Sequence, residues 1–229
     1  MENFLLSRTD ALIMAPTHEN QDFEHLQEVL NRKVPLVFFD RFIEEVPTSK
    51  IVVDDFEGAF NAVEYLISTG CRRIAHLAGH DTLSLARDRK EGYRAALKKH
   101  GLYSGDQMIL TSGYTYEEGV MAARKLIAST PVPDAVFGVS DRVAIGAMNE
   151  FQRLGYKVPD EVSFIGFTNE PVAEMVSPPL TTVEQRARDI GREAGKMALK
   201  LINQNRAKKE HAIETIILKT RLIVRGSTK

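Results

Sequence analysis

Residues 51–79 read IVVDDFEGAFNAVEYLISTGCRRIAHLAG, and this stretch decides the fold. It opens on a β-branched apolar run, Ile51–Val53, that leads straight into a helical pattern. Phe56, Ala59, Phe60, Val63, Leu66 and Ile67 share one stripe at helical spacing, and Gly70 stands where a helix is stopped by a residue free to adopt positive φ. Ile74–Ala78 then returns to an apolar run of strand length. Strand, crossover helix and strand in this order imply parallel pairing. The abrupt join at Ile51–Asp55 reads as a crossing between two lobes.

Working outward, the same alternation fills most of the chain. Strands are expected at Ala11–Ala15, Leu36–Phe39, Met108–Thr111, Ala135–Val139 and Ser163–Phe167, most of them too apolar for a sheet with one wet face. Helical stripes recur at Ala144, Ala147, Met148, Phe151 and Leu154, closed by Gly155, and at Ile190, Ala194, Met197, Ala198, Leu201 and Ile202. The expected class is α/β, with parallel sheets flanked by helices on both faces. Pro178–Pro179 forces an extended passage before a long helix and reads as a second crossing. Ile213–Leu218 and Arg221–Val224 are extended segments with no helix after them. Phe4, Leu5 and Leu6 resemble the end of a helix.

Composition narrows the function. The 229 residues suffice for two lobes of about 100 residues each. A 43% hydrophobic, 27% charged composition excludes a disordered tail, and 30 Lys+Arg against 31 Asp+Glu excludes an overall attraction to nucleic acid. Cys71 is the single cysteine, so no internal disulfide forms. With no apolar run of signal or membrane-spanning type, the expected location is cytoplasmic, away from any membrane. His18, His25, His76, His80, His100 and His211 are scattered without zinc spacing, so neither metal nor cofactor is expected. Catalytic patterns fail as well. Gly138-Val139-Ser140-Asp141 begins like a nucleophile elbow, but Arg142 holds the position that requires glycine. Phosphate-loop and dinucleotide glycine motifs are missing, and no catalytic residue is assigned.

In α/β sheets ligands collect beyond the carboxyl ends of the strands. Those positions hold Pro16–Thr17, Asp40–Arg41, Gly79–His80 with Arg87 and Arg89 following, Tyr114, Ser140–Asp141 and Thr168–Asn169–Glu170. An aromatic ring, guanidinium groups, carboxylates and hydroxyls together suit a polyhydroxylated or heterocyclic small molecule. Plainer roles compete: Asp141 or Ser140 as a helix N-cap, Asp40–Arg41 as a surface ion pair, Arg87–Arg89 as a solvated helix face, Tyr114 as packing.

The ordered set of motifs resembles the regulatory core of lactose/galactose-type repressors, over essentially the whole chain. The carriers are Thr9–Pro16, Val34–Arg41, Val53–Ala59, Gly70–Gly79, Pro133–Phe137 with Ser140–Asp141 and Ala144–Met148, Val158–Phe167, Pro179–Val183 and Leu222–Thr228. The resemblance implies a two-lobed, periplasmic-binding-protein-like type I fold with its first lobe incomplete. The implied division is 1–53 in the N-terminal lobe, 54–180 in the C-terminal lobe, 181–208 returning to the first and 209–229 ending in the second. A third crossing is implied near Lys208–Ala212.

It further implies a small-molecule effector (a sugar, sugar phosphate or purine-like compound) bound between the lobes by Asp40, Arg89, Tyr114, Ser140, Thr168 and Gln185. Arg89 matches the clamping arginine, Tyr114 the stacking aromatic and Ser140 the usual asparagine site. Thr168 departs from the family, which often has an effector-binding aspartate there. A homodimer is implied through the helix Ala144–Arg153 and the turn near Met175. Operator DNA would be met only through an N-terminal head, expected, with a strand-helix-strand unit, to precede Thr9. The competing readings are a transporter's solute-binding protein, which shares the fold, and an α/β enzyme using Ser140 or Asp141.

Overall fold

The computed structural model describes residues 9–17, 24–207 and 212–229; Phe4, Leu5, Leu6, His18, His211 and Lys208 lie outside them. In chain order the elements are β1 (Leu12–Met14), α1 (Glu24–Asn31), β2 (Leu36–Phe39), β3 (Ser49–Val53), α2 (Asp55–Ser68), β4 (Ile74–Ala78), α3 (Ser84–Lys99), β5 (Ile109–Thr111), α4 (Tyr116–Ile127), β6 (Ala135–Gly138), α5 (Asp141–Arg153), β7 (Ser163–Thr168), α6 (Val172–Met175), β8 (Thr181–Glu184), α7 (Ala187–Arg206), β9 (Thr215–Leu218) and β10 (Arg221–Ile223). Met108 is taken into a short 3-10 turn, Asp106–Met108, which delays the start of β5 by one residue.

The chain divides into two compact units. Residues up to Val53 and Arg186–Leu218 form the first; Asp54–Gln185 and Lys219–Lys229 form the second.

The first unit is a parallel sheet in the order β1-β2-β3-β9. Successive side chains of β2 point to opposite faces, and the core splits accordingly. Val37 packs with Ile51 and Val53 against Ile190, Ala194, Met197 and Leu201 of α7. Leu36 and Phe38 pack against Leu26 and Val29 of α1.

The second unit has the order β10-β8-β7-β6-β4-β5, parallel except for the antiparallel edge pair β10/β8. Phe137 and Ile165 face α2 and α3, burying Val63, Leu66, Tyr93 and Leu97. Val136 and Phe164 face α4 and α5, burying Leu126, Val143, Ala147 and Phe151. Local signals set the helix ends. Asp54 caps α2 by accepting the Glu57 N–H at 2.8 Å, and Gly70 follows its end at φ 99°. Thr115 and Glu118 close a reciprocal capping box on α4.

Beyond β10 the chain straps the starts of β7 and β8 together. The buried Ser227 hydroxyl donates to the Phe164 carbonyl at 2.7 Å and accepts from the Thr181 N–H at 2.8 Å, while the Phe164 N–H donates to the Ser227 carbonyl at 2.8 Å.

Three boundaries expected from the sequence need correction. The passage at Pro178–Pro179 is not a crossing: β8 pairs with β7 and β10, so 181–185 belong to the second unit, which runs to Gln185 rather than residue 180. The stretch 181–208 is therefore split, and only its helix lies in the first unit. Of 209–229, β9 pairs with β3 in the first unit, and the boundary falls at Leu218/Lys219 rather than near Lys208–Ala212. Both β9 and β10 are short extended segments, and only non-local pairing decides which sheet each joins.

Candidate functional site

Five of the six candidate residues gather along one edge of the second unit. Tyr114 follows β5, Ser140 follows β6, Thr168 ends β7 and Gln185 follows β8, while Arg89 lies on α3, the helix after β4. This is the carboxyl edge of the parallel strands. Asp40 belongs to the first unit. It ends β2 at φ 60°, donates its N–H to the Ile51 carbonyl at 3.0 Å and lies 3.7 Å from the Arg41 Nε.

Arg89 is not on a solvated face; it is 2% exposed. Its Nε and one terminal nitrogen donate to Asp55 Oδ1 at 2.8 and 2.7 Å, and the other terminal nitrogen donates to the Val139 carbonyl at 2.6 Å. The guanidinium carbon stands 3.6 Å from the centroid of the Phe167 ring. Burying a cation is costly unless it is paired and hydrogen-bonded, and this one is both. Three of its five N–H groups are so engaged. The sequence held the clue to the partner in the doublet Asp54-Asp55: one carboxylate caps α2, the other pairs with Arg89.

The Tyr114 ring lies against Gly79, where a side chain would overlap the phenol, and the backbone N–H of Tyr114 donates to Glu118 at 2.9 Å. Ser140 is the N-cap residue of α5 by backbone geometry, but its side chain makes no cap hydrogen bond. At 7% exposure its Oγ is buried without a partner among the described residues. Buried hydroxyls are rarely left unpaired, so this one is an available donor and acceptor. Gln185 is 8% exposed and is the last residue of the second unit, before Arg186 at φ 56°.

Asp141 corrects the expectation of a simple cap. It is the first residue of α5, fully buried, and its carboxylate turns away from the helix to the neighbouring strand ends. Oδ1 accepts the Thr182 hydroxyl at 2.5 Å; Oδ2 accepts the Thr168 hydroxyl at 3.2 Å and the Glu170 N–H at 2.7 Å. Burial raises the Asp141 carboxyl above its ordinary range, against the pull of those hydrogen bonds. Gly166 is required beside it, because a side chain there would overlap Oδ1. Thr168 itself sits at φ 118°, a costly conformation for a β-branched residue, and Asn169 follows at φ 58°. Propensity hinted at a cap; nothing local revealed a bond to residues 27 and 41 positions away.

His76 lies deeper in the same unit. Stacked between Phe137 and Tyr93, with Nδ1 at 3.0 Å from the Phe137 carbonyl, it is fully buried, and desolvation lowers its pKa to about 4. It is neutral, with Nδ1 as the donor. Among the described residues no group of three or more His, Cys, Asp or Glu could hold a metal ion, and no helix is long and apolar enough to cross a membrane.

The geometry has close relatives. The model of the periplasmic binding protein-like domain matches residues 63–228. The HTH-type transcriptional repressor PurR of Vibrio campbellii is 35% identical over 208 residues, covering 90% of this chain and 61% of that protein. The HTH-type transcriptional repressor CytR of Escherichia coli is 36% identical over 196 residues, covering 85% of this chain and 56% of that protein. The chain thus spans about six-tenths of the length of these relatives. Among solved structures, a complex of the transcriptional regulator CelR with cellobiose superposes with a TM-score of 0.86 at 31% identity, covering 98% of this chain and 68% of that one. The chain belongs to the periplasmic-binding-protein-like family, in its lactose/galactose repressor (LacI) branch.

Proposed function

We propose that this chain is the effector-sensing core of a transcription regulator and binds a small molecule through the strand ends of its second unit. The observation that carries the reading is the row of Arg89, Tyr114, Ser140, Thr168 and Gln185 along one sheet edge, with Arg89 already oriented by Asp55. Arg89 would clamp a polar group of the effector, Tyr114 would stack on its ring, and Ser140, Thr168 and Gln185 would exchange hydrogen bonds with its edges. The cellobiose complex of a relative at 31% identity supports a sugar-like effector, while Thr168 in place of a carboxylate keeps sugar phosphates and purine-like compounds in the class. Effector binding would shift a conformational balance and so alter how a dimer presents its DNA-binding heads. Operator contact would be made through a head outside these residues, and the regulator would work in the cytoplasm without enzymatic activity. Dimerisation would use α5 and the turn at Met175, a side chain 80% exposed; sedimentation at tens of micromolar that shows only monomer counts against that surface.

The direct test is a thermal-shift screen with cellobiose, ribose, sugar phosphates and purine bases, run on the protein and on Arg89→Lys. Lysine keeps a charge beside Asp55 but loses the planar fork. A compound that raises the melting temperature of the parent, with the shift reduced in Arg89→Lys, identifies the effector class. A ligand at 100 times its Kd adds about 2.7 kcal/mol of stability. A hit whose shift is unchanged in Arg89→Lys removes Arg89 from the site, and silence across the panel withdraws the support for these compound classes.

A further inference from the structure

We infer that Asp141 is the positioning residue of the candidate site: its carboxylate holds the turn Thr168–Glu170 in the conformation that ends β7 at the ligand edge. This rests on the reading that the strand ends of the second unit bind the effector, but its test does not depend on any ligand.

Three observations carry it. First, the carboxylate leaves the helix to which sequence would assign it, since the cap position belongs to Ser140 and no Asp141 cap bond forms. All three of its hydrogen bonds go to the ends of β7 and β8 and the turn between them, at Thr182, Thr168 and Glu170. Second, the turn it holds is one the chain would not adopt unaided. Thr168 at φ 118° and Asn169 at φ 58° are consecutive left-handed residues without a glycine, so the surroundings must over-determine them. Asp141 fixes the residue on either side of Asn169, and Thr182 reinforces it by accepting the Asn169 N–H at 3.3 Å. Third, the strand beneath is cleared for it: Gly166 lacks the side chain that would displace Oδ1. In this arrangement Asp141 does not touch the ligand. It acts through Thr168, whose hydroxyl it orients, and through Ser140, its neighbour in the chain.

Hydrogen exchange and a conservative rescue test the inference. In Asp141→Ala the Glu170 amide loses its acceptor, and its exchange is expected to quicken about 100-fold, with smaller gains at Thr168 and Asn169, while amides of β4 and β6 keep their parent rates. Asp141→Asn can still accept the Glu170 N–H and donate to the Thr182 hydroxyl, so exchange at Glu170 should return to within about threefold of the parent. If Asp141→Ala does not fold, Thr182→Val, which leaves the carboxylate in place and removes one of its donors, should quicken exchange at 168–170 about tenfold. Acceleration spread evenly over β4–β8, no acceleration at Glu170, or failure of Asp141→Asn to rescue overturns the inference. A thermal-shift screen without hits would fault the effector reading and leave these exchange rates to decide this one.

Discussion

The two helix layers of the second unit share close helix approach but bury their charge differently. In both, backbone meets backbone: a side chain on Gly146 would overlap the Tyr116 carbonyl oxygen and one on Gly119 that of Val143 in the layer of α4 and α5, and one on Gly92 of α3 would overlap that of Phe56 of α2 in the other. The layer of α4 and α5 carries its buried charge on α5: Asp141 is fully buried at its first residue, and Glu150, 4% exposed, lies 2.7 Å from each of the exposed Arg124 and Arg153. The layer of α2 and α3 carries its buried polar groups against the sheet. Arg89 and Asp55 pair there, His76 is stacked between two rings, and the Tyr93 hydroxyl donates to the Ile74 carbonyl at 2.7 Å. The first layer presents Ser140 and Asp141 beside the strand ends; the second holds the buried Arg89–Asp55 pair. The difference teaches that one sheet can keep a lone carboxylate hydrogen-bonded to strand and turn groups on one face and a paired cation on the other.

The contrast can be broken most severely at Arg89. Arg89→Ala removes the guanidinium partner of the buried Asp55 carboxylate and should cost about 3–5 kcal/mol in urea unfolding. The double variant Asp55→Ala/Arg89→Ala should be less destabilised than the sum of its parts, and additivity within about 0.5 kcal/mol would show the pair to be uncoupled.

Next in size, Gly146→Ala should cost about 3 kcal/mol because the obstructing atom is backbone and cannot yield. Gly92→Ala in the other layer meets the Phe56 carbonyl oxygen in the same way and should also cost about 3 kcal/mol, whereas Gly58→Ala meets side-chain atoms, the Phe167 ring and the Thr220 hydroxyl at 2.9 Å, and should cost less. Losses at Gly146 and Gly92 that differ by more than about 1.5 kcal/mol would show that backbone approach does not set both layers alike.

Acidity sharpens it further. The His76 pKa is lowered from 6.5 to about 4, so above pH 6.5 both folded and unfolded states hold it neutral and it contributes no pH dependence. As the pH falls below 6.5 the unfolded chain binds a proton that the folded one refuses. Stability should drop by about 1.4 kcal/mol per pH unit until about pH 4. Subtracting the unfolding profile of His76→Phe, which keeps the ring stack, isolates this slope; identical profiles for the two proteins between pH 7 and 5 would contradict it.

The smallest effect is expected at Glu150, whose partners are exposed. Glu150 is lowered to about 2 by hydrogen bonds from Arg153 and Arg124, so its contribution is present above the ordinary carboxylate range and fades as pH falls toward 2. Both arginines are more than half exposed, and solvent screens the pair. Glu150→Gln should therefore lower the melting temperature only slightly, and less so at high salt.

Much of the architecture was legible locally because each element announces itself by period. Leu36–Phe39 and Ile74–Ala78 coincide with the observed strands, and the stripe from Phe56 to Ile67 with α2. Legibility ended where partners are distant. Residues 181–184 and 215–218 are both short extended runs, and nothing within them states that one joins β7 and the other β3. The true passage out of the second unit is marked only by Arg186 at φ 56°, without the glycine or proline that usually flags such a place. At the site, residue type and position after a strand were readable. Asp141 was misread because Ser-Asp before an apolar helix satisfies capping rules equally well whether or not the carboxylate is needed elsewhere.

The strap formed by Ser227 has a consequence for the order of synthesis. The second unit draws its edge strand β10 and the clasp on β7 and β8 from residues 219–229, after a detour through α7 and β9 of the first unit. While the chain emerges from its N-terminus, the sheet built from residues 54–185 must wait with the side of β8 open until residues 219–229 have left the ribosome. Completion of this unit is thereby tied to synthesis of a segment that comes after the first unit's α7 and β9. A ribosome stalled before residue 219 would display β8 as an uncovered strand, the segment that a holding chaperone would be expected to cover.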